Sequence, residues 1–214
     1  MAATKVGIER EGEVDRVYRL LKGWILDASL RPGDFLSEVD LARQCETSRT
    51  PVREACNLLS QEKWIQRIRH KGYVLPAISI REIIEVYEYR KLLECFGAER
   101  AAAGATPDEI KALRELIAIE DRMDLDMPAF LKANQDFHLR LGEIARNQRV
   151  LDQLKLTLEY VHRLDVLSTQ RDNRPVPHRD IVRAIEARNV GEASKAMAEH
   201  INVSRDRMLR LFGT

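Results

Sequence analysis

The chain is expected to be mainly α-helical and to fold in two parts, a small mixed segment followed by an antiparallel six-helix bundle. Three observations carry this expectation. Apolar residues recur at helical spacing from Val14 to Leu26, and again through most of the chain from Ile83 to Phe212. The runs with strand character fall between Trp64 and Leu75. Punctuation by proline and capping residues divides the chain near Pro76 to Ser79, without a Gly/Ser linker, low-complexity tract or repeat. The expected domains are 10–76 and 79–213.

A chain of 214 residues that is 44% hydrophobic and 32% charged can bury a sizeable core and stay in solution, which argues against disorder. No stretch approaches the ~20 apolar residues of a membrane helix, and Met1 to Arg16 is too polar for a secretory leader. A cytoplasmic protein without membrane partners is expected. Cys45, Cys56 and Cys95 are odd in number, lack CxxC spacing and sit in or beside apolar helical runs, so they read as small core residues. The net charge of +1 is uninformative, but its distribution is not. Between Ser48 and Gly72 six basic residues (Arg49, Arg53, Lys63, Arg67, Arg69, Lys71) face two acidic ones (Glu54, Glu62), a local excess suited to a polyanion.

In the first part, Val14, Val17, Tyr18, Leu21, Ile25 and Leu26 mark one helix, which the turn Leu30 to Asp34 ends. Ser37 is the expected N-cap of a short second helix ending near Gln44, with Asp40 in its first turn. Thr50 is the expected cap of a third, with Pro51 at its first position and an apolar stripe of Val52, Ala55, Leu58 and Leu59. Two short strands, Trp64 to Ile68 and Tyr73 to Leu75, are joined by the basic turn Arg69-His70-Lys71-Gly72.

The second part reads as six helices. Ser79-Ile80-Arg81-Glu82 is a capping box for the first, which runs to about Ala103. Thr106-Pro107-Asp108-Glu109 opens the second, to about Met123. The third covers Pro128 to Arg146 with Asn147 as C-cap, and the fourth about Arg149 to Ser168. After a polar loop from Gln170 to Val176, the fifth spans about Pro177 to Arg188. Asn189-Val190-Gly191 turns the chain into the last helix, which ends near Phe212.

Three helices followed by a two-stranded wing form the winged helix-turn-helix layout, in which the third helix enters the DNA major groove. Arg49 and Arg53 present planar forks that can bind guanine O6 and N7, at about 1–3 kcal/mol of discrimination per bidentate pair. Ser48, Thr50 and the helix N-terminus can hold phosphates, and the basic wing tip can follow the adjacent groove. The alternative is that both arginines are solvated surface residues.

The run Leu41-Ala42, then Ser48-Arg49-Thr50-Pro51-Val52-Arg53-Glu54-Ala55, resembles the GntR-family signature, and the match continues through Leu58-Leu59, Glu62 and Gly72. Two positions depart from the family pattern, Lys63 where glycine is usual and Cys56 where leucine is. The resemblance implies DNA contacts at Ser48, Arg49, Thr50 and Arg53, with Gly72 allowing close approach of the wing whose basic tip carries Lys71, and a homodimer on a short palindromic operator.

The bundle carries a histidine constellation. His178 and His200 each lie 11 residues from Asn189, so an antiparallel hairpin brings them to one height, roughly 16 Å from its turn. His138 shares a face of the third helix with Asn134. Three imidazoles and an amide oxygen would suit a divalent ion, with zinc first and nickel or another next. The alternative is that each histidine is a hydrogen-bonded core residue, the reading preferred for His162 and His70.

Tyr89-Arg90, Leu93-Glu94, Phe137-His138, Asn147 and the pair His178/His200 make this part resemble the FCD effector domain of the FadR subfamily, in its shorter VanR-like form. The resemblance implies a metal site at residues 134, 138, 178 and 200 and a small organic acid as effector. Where that family has an aspartate, this chain has Asn134. Arg90 either pairs with Glu94 at i+4 or clamps an effector carboxylate. Together these features imply an effector-responsive transcriptional regulator, expected to repress and not to catalyse. The rival readings are a metal-dependent hydrolase, against which stands the lack of HExxH or of an acid near His138 on its face, and a constitutive DNA-binding dimer.

Overall fold

The computed structural model describes residues 12–69, 71–122, 124–168 and 178–213. The chain divides into two compact units, Met1–Ala77 and Ile78–Thr214.

The first unit begins with α1 (Glu13–Leu26), whose Val17, Leu21 and Ile25 form one buried stripe. Strand β1 (Phe35–Leu36) then leads into α2 (Glu38–Gln44), capped by Ser37, whose hydroxyl accepts from the Val39 N–H at 3.3 Å. Helix α3 (Arg49–Gln61) buries Val52, Ala55, Cys56 and Leu59 against α1 and α2. Its cap is Ser48, two residues before the expected Thr50, so Pro51 sits at the third helical position. Its missing N–H costs nothing there, because the N–H groups of a first turn lack intrahelical partners anyway. Leu58, expected on the buried stripe, is exposed.

The wing is β2 (Gln66–Ile68) and β3 (Gly72–Val74), paired antiparallel. His70, expected in the turn between them, lies outside the described residues. The hairpin is only part of the sheet, since β1 pairs with the other edge of β3, Leu36 opposite Tyr73, and the order is β1-β3-β2. Sequence reading missed β1 because two residues carry no periodicity; the pairing is a tertiary contact. Gly72 opens β3 at φ +131, and a Cβ there would lie 2.5 Å from the Leu36 carbonyl oxygen. That clash, not turn flexibility, is why glycine stands at this position. Lys63 also adopts a left-handed conformation, φ 65, which accounts for the glycine usual at that position in the family pattern.

In the second unit the described residues form six helices and no strand. They are α4 (Ile80–Gly104), α5 (Pro107–Glu120), α6 (Met127–Ile144), α7 (Gln148–Ser168), α8 (Arg179–Glu186) and α9 (Val190–Phe212). Ser79 caps α4, accepting from the Glu82 N–H, and Thr106 with Glu109 forms a complete reciprocal capping box on α5. Helix α5 ends at Glu120 with Asp121 as its C-cap, short of the expected Met123, which, like the loop from Gln170 to Val176 and Pro177, lies outside the described residues. Asn147 plays the opposite part to the expected one. The left-handed residue ending α6 is Arg146, φ 51, and the Asn147 side chain accepts from the Val150 N–H, capping the start of α7.

Helix α4 packs along α9, α8 and α9 form an antiparallel hairpin, and α5, α6 and α7 pack in sequence. The core is built around Ile83, Tyr87, Phe137, Leu141, Leu164 and Met197, each below 2% exposure, with their neighbours. Fully burying such side chains contributes about 1.5–3 kcal/mol each. A polar seam runs through this core, and it carries the second candidate site.

Candidate nucleic-acid interface and metal centre

In the first unit, α2 and α3 meet the wing across a groove of about 330 Å³ lined by Arg49, Arg53, Arg67, Lys71, Gly72, Tyr73 and Glu38, among others. Four of the sequence-predicted residues are brought together there; Ser48 and Thr50 stand exposed at the start of α3 but do not line the groove. Four cations against one carboxylate leave its walls strongly positive. Two residues that sequence reading did not single out complete it. Arg67 belongs to β2, within the basic cluster already visible in the sequence.

Glu38 is the less expected addition. From the first position of α2 its carboxylate accepts from Arg53 Nε at 3.1 and 3.2 Å, from Arg53 Nη2 at 2.9 Å and from Arg49 Nη2 at 3.3 Å. The Arg53 guanidinium beside it, with Arg49, holds the Glu38 carboxyl below its usual range. The Tyr73 hydroxyl donates to Asn57 Oδ1 at 3.1 Å, tying β3 to α3. Helix α3 and the wing are therefore tied to each other, and the two arginine forks are oriented by an acid of α2.

In the second unit three imidazoles converge: His138 from α6, His178 at the N-cap of α8 and His200 from α9. One ligand atom from each lies within 4.8 Å of the others, and all three residues are buried. The His138 and His178 Nε2 atoms are 3.0 Å apart. The His178 and His200 rings lie 4.4 Å apart between centroids, as the equal spacing from Asn189 requires. Phe137 stacks on His178 at 4.0 Å and closes one side. Burial, Arg90 and His178 hold His138 well below its ordinary pKa, and burial with His178 and His138 does the same for His200. Both are therefore neutral donors at physiological pH.

Carboxylates flank the cluster. His178 Nδ1 is 2.8 Å from both oxygens of Glu120, and Glu94 meets both His138 Nδ1 and Arg90 Nε. Arg90 also places Nη2 2.6 Å from His138 Nε2. Of the two possibilities for Arg90, the intrahelical pair with Glu94 is the one formed, with the contact to His138 in addition. Burial pushes the Glu94 carboxyl up while Arg90 pulls it down, and the upward effect prevails. Asn134 is buried one helical turn before His138, and its Nδ2 has no partner among the described residues. With His138, His162 and Asp165 it lines a cavity of about 10 Å³, the scale of one water molecule. Asp165 pairs with Arg207 at 2.5 Å, both buried. Glu120, Asp165 and Arg207 escaped sequence reading because a lone charge in an amphipathic helix is indistinguishable from a solvated one until its helix face is known.

The description "Bacterial regulatory proteins, gntR family" matches residues 13–75, and "FCD domain" matches residues 85–203. The Nta operon transcriptional regulator of Aminobacter aminovorans is 28% identical over 183 residues, 85% of this chain and 87% of that protein. The HTH-type transcriptional repressor RspR of Escherichia coli (strain K12) is 30% identical over 195 residues, 87% of this chain and 84% of that protein. The fold matches that of E. coli McbR/YncC with a TM-score of 0.75 at 18% identity, over 94% of this chain and 99% of that one. Among the described residues no helix is long and apolar enough to cross a membrane. A basic winged-helix groove and a helical domain with a buried polar centre, each matched by its own family description, lead to one conclusion: this chain belongs to the GntR family, as a DNA-binding transcriptional regulator with an FCD domain.

Proposed function

We propose that this protein is a cytoplasmic repressor that binds a palindromic operator as a homodimer and whose operator affinity responds to a small organic acid. Ser48, Arg49, Thr50, Arg53, Lys71 and Gly72 are the DNA-facing residues, with Arg49 and Arg53 reading bases and the rest placing the backbone. His138, His178 and His200 would hold a divalent cation, zinc first and nickel next, with Asn134 offering its amide oxygen from one turn away on α6. The observation that supports this most is the pair of imidazole Nε2 atoms 3.0 Å apart, with a third imidazole beside them, buried in the polar seam of the helical unit.

The donor set fits such an ion. Three imidazoles and an amide oxygen are ligands of the right chemistry, and a bound cation there would supply a positive centre able to hold a carboxylate. Arg90, next to His138, is the side chain that would meet that carboxylate's second oxygen, exchanging part of its contact with Glu94. A regulator rather than a hydrolase is favoured by the relatives, which are named as transcriptional regulators.

The test combines elemental analysis of purified protein with operator binding, measured with and without Zn²⁺ or Ni²⁺ and a panel of mono-, di- and tricarboxylates. One divalent ion per chain and a carboxylate that shifts operator affinity about 5–150-fold are expected, the range of ordinary allosteric coupling. Metal-free protein whose DNA affinity no carboxylate alters would support the constitutive dimer instead.

A further inference from the structure

Glu120 is the last residue of α5. A carboxylate at a helix C-terminus meets the negative end of the helix dipole, so helix chemistry does not place it there. Its side chain is only 1% exposed, and among the described residues its hydrogen bonds go to His178, both oxygens standing 2.8 Å from Nδ1. The next residue along each strand of this clasp repeats the pairing on the surface: Asp121 accepts from Arg179, with Nη2 at 2.7 Å. Two consecutive acids at the end of α5 thus hold two consecutive bases at the start of α8.

We propose that Glu120 is a positioning residue for the metal centre, fixing the tautomer and orientation of His178 and lending the site the anionic character that Asn134 does not. A neutral imidazole has one N–H and one lone pair. Both Glu120 oxygens face Nδ1, so the ring N–H belongs on Nδ1 and the lone pair on Nε2, the atom that faces His138 Nε2. Charge makes this contact matter here. An imidazole ligates through an uncharged nitrogen and residue 134 is an amide, so a dication would meet no anionic ligand from these four side chains. Glu94 stands in the same relation to His138 but shares its charge with Arg90. Glu120 has no such competitor among the described residues.

This inference rests on the metal reading of His138, His178 and His200, and the experiment separates the two. Zn²⁺ and Ni²⁺ affinities of the full-length chain are measured by calorimetry for wild type, Glu120→Gln and Glu120→Asp, with His178→Ala as the benchmark of a lost ligand and circular dichroism as a check of fold. Long-range ¹H–¹⁵N spectra of histidine-labelled protein report the His178 tautomer. A folded Glu120→Gln should bind 10–100-fold more weakly, the usual cost of losing such a partner, while Glu120→Asp retains most of the affinity. Wild-type His178 should show an Nδ1–H tautomer.

Equal affinity in wild type and Glu120→Gln would overturn the role of Glu120 while leaving the metal reading intact. Wild type that binds neither ion would overturn the metal reading and this role with it. Should Glu120→Gln fail to fold, the wild-type tautomer decides, since Nε2–H would overturn the proposal and Nδ1–H would support it.

Discussion

Glu38 of α2 grips Arg53 of α3 with both carboxylate oxygens, at 3.1 and 3.2 Å to Nε and 2.9 Å to Nη2. The contact orients a long side chain whose rotamer freedom would otherwise be lost on meeting DNA, a cost of up to about 2 kcal/mol. Arg53→Ala should weaken operator binding by about 1–3 kcal/mol, roughly 5–150-fold, and flatten the preference for operator over scrambled DNA. Glu38→Gln should reproduce part of that loss although the operator is not its proposed partner. Fluorescence anisotropy on both duplexes would expose an error if Arg53→Ala left affinity and preference unchanged. The acid's contribution to stability has a defined pH sense. Its folded pKa lies below the ordinary 4.5, so the contribution is present above that value and disappears as pH falls through the lower one.

Two backbone positions with positive φ should respond in opposite senses. Gly72→Ala places a Cβ against the Leu36 carbonyl oxygen and should cost about 1–3 kcal/mol, loosening the wing and with it DNA affinity. Lys63→Gly relieves a left-handed lysine and should be neutral or stabilising by up to about 1 kcal/mol. Thermal unfolding of the two variants checks both signs.

Removal of any one of His138, His178 or His200 should abolish stoichiometric metal binding, whereas His162→Ala should not. Ligand held at a hundred times its dissociation constant adds about 2.7 kcal/mol to stability. A chelator should therefore lower the melting temperature of wild type by several degrees and leave His178→Ala unmoved. Identical chelator responses in the two proteins would count against the cluster as a metal site.

Asn134→Asp should tighten divalent-ion binding, because a carboxylate replaces an amide beside His138, and the buried Nδ2 without a partner disappears. Asn134→Leu should weaken binding less than loss of a histidine does. Competition titrations with a chromogenic chelator would rank the three proteins, and an order with Asn134→Asp weakest would contradict the expectation.

Asp165 and Arg207 form a buried ion pair at 2.5 Å between α7 and α9. Removing one partner strands the other in the core, so Asp165→Ala should destabilise by about 3–5 kcal/mol. The double variant Asp165→Leu/Arg207→Met should recover much of that loss. Denaturant melts of single and double variants measure the coupling.

Along the chain alone were written the order of the helices and the two wing strands, the caps Ser37, Ser79 and Thr106, and the two sets of residues on which function is proposed to rest. Its signals were local ones: Ser37 and Thr106 at caps, helical periodicity, and a dense motif around Arg49 to Ala55. The meeting of His178 with His200 was also legible, because equal spacing from a tight helical turn is a one-dimensional fact with a three-dimensional consequence. Which charges are paired, and with whom, follows from packing. Glu120, Asp165 and Arg207 look like ordinary helix-surface residues until the packing of neighbouring helices removes their water and sets them against opposite charge or an imidazole, and Glu38 meets Arg49 and Arg53 only once α2 lies beside α3. Strand β1 exists for a similar reason, since two residues gain a ladder only when β3 lies beside them. Local propensity is written along the chain, whereas desolvation depends on which elements come together.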